Sequence, residues 1–248
     1  MVKLRCLIQT NTSERRSLYD ILNTVSLESN SQIRINFDGG DLSSDAGLLL
    51  FKEFLYKFGA VKLIHRMFKT NDTAGFRIHK DDADLMQVIY QIISAYFEDD
   101  CADELTNEPV MTAILDKDAL ASQPALSRFF NRMDTDTLSQ LNQITRELRK
   151  VIYSIKKPEF MLFDIDSTLL DAYGNQEGEG FNYHYQAHGY HPLLCYDRLT
   201  GDLLKAELRD GTMYCSKKAD IFMKSLLRVT LEWFQGTYSP EIQQLFRL

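Results

Sequence analysis

Two periodicities divide the chain. From Asp41 onward apolar residues recur at spacings of three and four, and Leu48, Leu49, Phe51, Phe54, Leu55 and Phe58 make a helix stripe that Ser43 or Ser44 can cap and Gly59 can end. That stripe reads as core. A second helix is predicted over 61–68. Residues 81–97 repeat the pattern, with Asp82 as a cap and Leu85, Val88, Ile89, Ile92, Ile93 and Tyr96 on one face. Shorter helices are predicted over 109–115 and 125–132, and a longer one over 135–155. Ahead of these, residues 1–33 are mixed and polar, an N-terminal extension with one helix around 17–25.

The period switches at Lys156-Lys157-Pro158, because proline disfavours helix in the residue before it and the following residues alternate or run apolar for strand lengths. Strands are predicted over 160–166, 169–173, 192–196 and 203–208, the last two joined as a hairpin through Thr200-Gly201-Asp202. Gly180, Gly189 and Pro192 make the stretch between the second and third strands a loop. Ser216 then caps a helix over 219–233, apolar at Ile221, Phe222, Leu226, Leu227, Val229 and Leu231 around much of its circumference, as suits a helix lying across a sheet. The class is α+β: an extension over 1–33, a helical domain over 34–157 and a mixed domain over 158–248.

Composition narrows this little. A content of 44% hydrophobic and 25% charged residues is that of a folded domain. Cys6, Cys101, Cys195 and Cys215 form no CxxC pair, so neither a zinc module nor a disulfide framework is indicated, and a reducing cytoplasm fits. No apolar run nears the roughly 20 residues that span a bilayer, and the start, MVKLRCLIQTNTSERRS, lacks a signal-peptide core. A cytoplasmic protein without a membrane partner is expected. The net charge of -7 argues at first against nucleic acid. Its distribution removes that objection: residues 81–118 hold 11 carboxylates against the single Lys117, while 66–80 and 146–157 are locally basic.

The densest chemistry lies in FMLFDIDSTLL at 160–170, where an apolar run ends in Asp164 and Asp166, followed by Ser167 and Thr168. If Ile165 faces the core, both carboxylates share the opposite face. Two like charges so placed call for a hard divalent cation. Three chemistries use such a pair. Haloacid dehalogenase-like phosphatases have a similar DxDxT signature, which would make Asp164 the nucleophile and Asp166 the acid/base, but they need a downstream lysine and acidic pair for which little chain remains. Nucleotide-sugar transferases hold Mn²⁺ on a DxD, yet nothing else here resembles a sugar-nucleotide pocket. Phosphodiester chemistry on DNA uses two Mg²⁺ ions about 3.5 to 4 Å apart.

An ordered series of motifs favours the third. FDGGDLSSDAGLLLFKEF at 37–54, AYFEDDCADELTNEPV at 95–110, SQPALSRFFNRM at 122–133, FDIDST at 163–168 and EGFNYHYQAHGYHPLLCYDRLTGDLLKAELRDGT at 179–212 together resemble a DDE transposase of bacterial insertion sequences, of the group whose catalytic domain begins with a DxDST strand. The resemblance spans roughly 34–234. It implies a ribonuclease H-like domain beginning near residue 158, Asp166 as first acid of the triad and Asp164 as alternative or accessory ligand. Mg²⁺, with Mn²⁺ able to replace it, is the implied cofactor. The implied partners are double-stranded DNA of the element's terminal inverted repeats and, as a dimer, a second copy or a full-length transposase, in a nucleoid-associated cytoplasmic protein. Where the family's second acid is expected the chain reads Leu245-Phe246-Arg247-Leu248, and Asp220, Glu232 and Glu241 do not occupy the required strand. The expectation is a truncated catalytic domain that binds DNA without transposing it, or a DNA-binding regulator of transposition.

Other residues carry weaker signals. Arg128 and Arg132, flanking Phe129 and Phe130, could bind phosphates from a short helix. His184, His188 and His191 have zinc-like spacings that a loop would make meaningless, and the resemblance sets His184 and Tyr185 near the DxDST strand as DNA contacts.

Overall fold

Gly59 sets the first helical pair. Helix α1 (Leu48–Phe58) ends on it at φ 81, its N–H donating to the carbonyls of Leu55 and Tyr56, and α2 (Ala60–Met67) starts from it. Glycine adopts that left-handed conformation without the steric cost a side chain would bring. The structure, a computed structural model, describes residues 3–5, 24–36, 44–72, 74 and 76–233, with the side chains of 3–5, 24, 229 and 231–233 outside that description. It divides into two units, Met1–Ile152 and Tyr153–Leu248.

In the first unit α1 and α2 are followed by α3 (Asp81–Ile93), α4 (Cys101–Glu104), α5 (Pro109–Leu115), α6 (Gln123–Phe130) and α7 (Thr135–Ile155). Strands β1 (Lys3–Arg5), β2 (Thr24–Ser26) and β3 (Arg34–Asn36) form an antiparallel sheet in the order β1-β3-β2. Leu27, Ile33 and Ile35 are buried with Leu49, Tyr90, Met111 and Phe129 in one core. Leu27 and Ile33, from the stretch read as an extension, thus lie in this core. Of the helix expected around 17–25, residues 17–23 lie outside the described residues and Thr24 and Val25 are in a strand.

Several helices differ in rotation or boundary from their periodic reading. In α1 Leu48 and Leu49 are buried, but so is Lys52, while Phe51 and Phe54 are exposed. Lys52 explains the rotation: its Nζ donates to the carbonyls of Ala113 (3.1 Å) and Ile114 (2.7 Å) and to Asp116 (2.7 Å). A helix leaves its last carbonyls without partners, and an ammonium brought through the core satisfies those of α5. Gly47, not a serine, is the N-cap of α1; Ser44 lies in the preceding turn and Ser43 outside the described residues. Helix α3 starts from Lys80, not from Asp82, and ends at Ile93; it buries Gln87 and Gln91 and leaves Ile92 and Ile93 exposed. The Gln87 amide exchanges hydrogen bonds with both main-chain groups of Ala121, at 2.8 and 2.9 Å, so a polar residue serves the core there.

Among its described residues the second unit holds two three-stranded antiparallel sheets and one helix. Strands β4 (Phe163–Ser167), β8 (Leu193–Asp197) and β9 (Leu203–Glu207) pair in the order β4-β8-β9. Strands β5 (Leu170–Asp171), β6 (Gly180–Asn182) and β7 (Ala187–Tyr190) pair in the order β5-β7-β6. Helix α8 (Ala219–Trp233) buries Phe222 and Leu226 against Leu193 and Cys195, with Phe163 packed at the margin. Ile221, one of the apolar positions around its circumference, is exposed. Ser216 meets the helix start through its carbonyl, which accepts from Ala219 N–H.

The stretch read as a loop contains β6 and β7. Gly180 and Gly189 are there for close approach and not for turning: a Cβ on Gly189 would run into the Leu170 carbonyl, and one on Gly180 would sit 2.7 Å from the Thr212 methyl. The two sheets are separate but keep one register. Ser167 pairs with Leu193 and Leu170 with Tyr190, the rungs one uninterrupted hairpin would have, and the pause falls where Thr168 would face Pro192, which has no N–H to donate.

Candidate metal and nucleic-acid site

Strand β4 places the two carboxylates. Asp164 lies opposite Tyr196 and Asp166 opposite Leu194, whereas Phe163 and Ile165 lie opposite Asp197 and Cys195. Alternation therefore puts both carboxylates on one face of the sheet, away from the face that α8 covers, with their Cα atoms about 7 Å apart. Both are exposed. Asp166 Oδ1 accepts from the N–H of Ser167 at 2.8 Å. Ser167 itself is buried, and its carbonyl accepts from the Tyr185 hydroxyl at 3.0 Å. Cys195 lies inside the sheet beside this strand; burial, reinforced by the Asp164 and Asp197 carboxylates, pushes its thiol up to about 11.

A block of interlocked residues supports Tyr185. Asn182, buried, accepts through Oδ1 from the N–H groups of His184 (3.0 Å) and Tyr185 (3.3 Å) and donates through Nδ2 to the carbonyl of Gly211 (2.8 Å). The Tyr185 ring meets the fully buried His191 edge-on, 5.7 Å between centroids. His191 Nδ1 lies 2.5 Å from the Met213 carbonyl; its main chain bonds to Arg209 in both directions, once through the Arg209 side chain. Buried Arg209 also donates to the carbonyls of Cys215 and Lys217.

The three histidines do not converge. His184 is exposed on the turn between β6 and β7, the His188 ring nitrogen Nδ1 lies 3.0 Å from a Glu179 carboxylate oxygen, and His191 is enclosed. Among the described residues no group of three or more His, Cys, Asp or Glu side chains is placed to hold a metal ion. The pair Asp164 and Asp166 offers the hard oxygen ligands that Mg²⁺ or Mn²⁺ prefers, and fits part of such a coordination sphere.

In the first unit Arg128 is exposed, but Arg132 is enclosed by its own chain. Its guanidinium reaches Asp81 at 3.1 Å and Thr70 Oγ1 at 3.3 Å, with Asp72 and Asp84 each at 3.9 Å. Burial acts to raise the Asp81 pKa, yet the Thr70 hydrogen bonds and Arg132 hold it below the ordinary value. Asp84 is almost wholly buried, and burial pushes its carboxyl up to about 6 against the pull of Lys117 and Arg132.

Periodicity located β4 and its carboxylates but could not indicate the long-range bonds of Asn182, His191 and Arg209 to the carbonyls of Gly211, Met213 and His191. The one local sign was the pair of glycines in β6 and β7. No helix among the described residues is long and apolar enough to cross a membrane. Residues 25–238 match a family model described as transposase DDE domain group 1. No curated protein and no solved structure matches.

Proposed function

The chain belongs to the group 1 DDE transposase-domain family, whose fold is ribonuclease H-like, and we propose that Asp166 is its first metal-holding acid with Asp164 beside it. The observation that carries this reading is the shared exposed face of the two carboxylates on β4, on the sheet side that α8 leaves open. Mg²⁺, or Mn²⁺ in its place, would be held by Asp166 and Asp164; in phosphodiester chemistry such ions activate the attacking oxygen and stabilise the leaving one. The chain's own part is to present those oxygens at a fixed strand position and, through Ser167 N–H, to orient Asp166.

The substrate is double-stranded DNA at the ends of a mobile element. Exposed Arg128 in the helical unit and His184 and Tyr185 in the other are the contacts offered for it, the Tyr185 ring lying edge-on to His184, while Arg132 is committed to Asp81. The helical unit binds the terminal repeats and pairs with a second copy or a full-length transposase near the nucleoid. A chain that binds DNA without joining strands would also suit a regulator competing for those repeats.

The test is gel retention and nicking of labelled duplexes taken from the genomic DNA flanking the coding region, with and without Mg²⁺. Retention of one flank over shuffled duplex, without cleavage, supports the reading. Equal retention of every duplex removes the terminal-repeat assignment, and Mg²⁺-dependent hydrolysis of an aryl phosphate that Asp164→Asn abolishes would assign a phosphatase instead.

A further inference from the structure

We propose that Tyr185 is a positioning residue for Asp166, acting through the main chain of Ser167 to fix the direction of the carboxylate that would hold a metal. The inference rests on the reading of Asp166 as a metal-holding acid. Ser167 is gripped at both of its main-chain polar groups: its N–H by Asp166 Oδ1 at 2.8 Å and its carbonyl by the Tyr185 hydroxyl at 3.0 Å. It stands at the last rung of the ladder with β8, just before the pairing pauses opposite Pro192, where a strand has most freedom to twist. Ser167 is buried and its bond to Tyr185 partly so, which limits the water that could replace a lost donor.

Tyr185 can act as a fixed point because its other parts are held independently. Asn182 holds its N–H, buried His191 backs its ring, and Gly211 and Met213 in turn hold Asn182 and His191. Gly211 approaches so closely that a Cβ there would lie 2.5 Å from the Gly180 carbonyl oxygen, so the loop holding Asn182 has no slack. The hydroxyl is thus delivered to Ser167 from a rigid block, and the Ser167 N–H is delivered to Asp166. Ligand supports of this kind set metal affinity without touching the metal.

Tyr185→Phe keeps the ring on His191 and removes only the hydroxyl. The measurements are the Ser167 amide in ¹⁵N–¹H spectra of the full chain, its hydrogen exchange, and Mn²⁺-induced broadening of β4 amides titrated with the metal alone. The expected result is a shifted Ser167 amide exchanging about tenfold faster and a half-saturating Mn²⁺ concentration about tenfold higher, with the remaining amide shifts unmoved. Asp166→Ala should abolish the broadening. An unchanged Ser167 amide and Mn²⁺ titration in Tyr185→Phe overturns the positioning role. Broadening that survives Asp166→Ala instead removes the metal assignment, while the Ser167 amide still decides whether Tyr185 holds the strand. If Tyr185→Phe fails to fold, the reciprocal reading remains: Asp166→Ala should shift the Tyr185 ring signals, and unmoved ring signals overturn the proposal.

Discussion

Gly211→Ala tests the interlocked block directly. A Cβ at that position would fall well inside van der Waals contact with the Gly189 carbonyl oxygen and lie 2.5 and 2.8 Å from the carbonyl oxygen and nitrogen of Gly180. All three are main-chain atoms, and Gly180 and Gly189 are paired across β6 and β7, so neither can yield without moving the other. Forcing extra atoms into such a site typically costs about 1–3 kcal/mol, and the rigidity of both neighbours puts this case at about 3. For a unit near 100 residues that corresponds to a fall in Tm of about 15 °C. Gly201→Ala is the control in the same unit: nothing lies within 4 Å of its Cβ, but φ is +76. Its cost is then the left-handed conformation alone, about 1 kcal/mol. Urea unfolding followed by the fluorescence of Trp233, the single tryptophan, lies within reach because that residue is in α8 of the same unit. A Gly211→Ala protein within about 0.5 kcal/mol of wild type, or no less stable than Gly201→Ala, would refute the close approach and the block built on it.

Three further outcomes follow from the same reasoning. Gln87→Leu leaves the buried N–H and carbonyl of Ala121 without partners and should cost about 2–4 kcal/mol in urea unfolding; a loss below about 1 would show that these bonds are not net stabilising. Asp84 has a folded pKa raised from 3.8 to about 6, so its contribution to stability is present at acidic pH and is lost as pH rises through that window; the stability of Asp84→Asn relative to wild type should therefore rise between pH 4 and 6, by about 1–2 kcal/mol, and a flat difference would contradict it. Cys215, exposed, should react with a maleimide at pH 7 in the folded protein, whereas Cys195, buried with its thiol pushed up to about 11, should react only after unfolding; equal labelling by mass spectrometry would refute the burial.

Much of this protein was determined by local sequence. The three-and-four spacing that ends at Gly59, the span Pro109–Leu115, the long helix Thr135–Ile155, the change of period at Pro158 and the strand that carries Asp164 and Asp166 all depend on neighbours within a few residues. The ordered motifs sufficed for the family. What only the tertiary structure decided is which face each element turns inward and which polar groups it spends there. Lys52 rotates α1 because its partners are carbonyls at the end of α5, and Arg132 is taken from solvent by Asp81 and Thr70. Strands β6 and β7 form around glycines whose significance is a neighbouring backbone and not their own flexibility. The resemblance sets Tyr185 near the DxDST strand as a DNA contact, but only the fold brings its hydroxyl to the residue beside Asp166. Periodicity records burial averaged along an element. Hydrogen bonds to main-chain atoms tens of residues away leave no period, so they become visible only when the chain has closed upon itself.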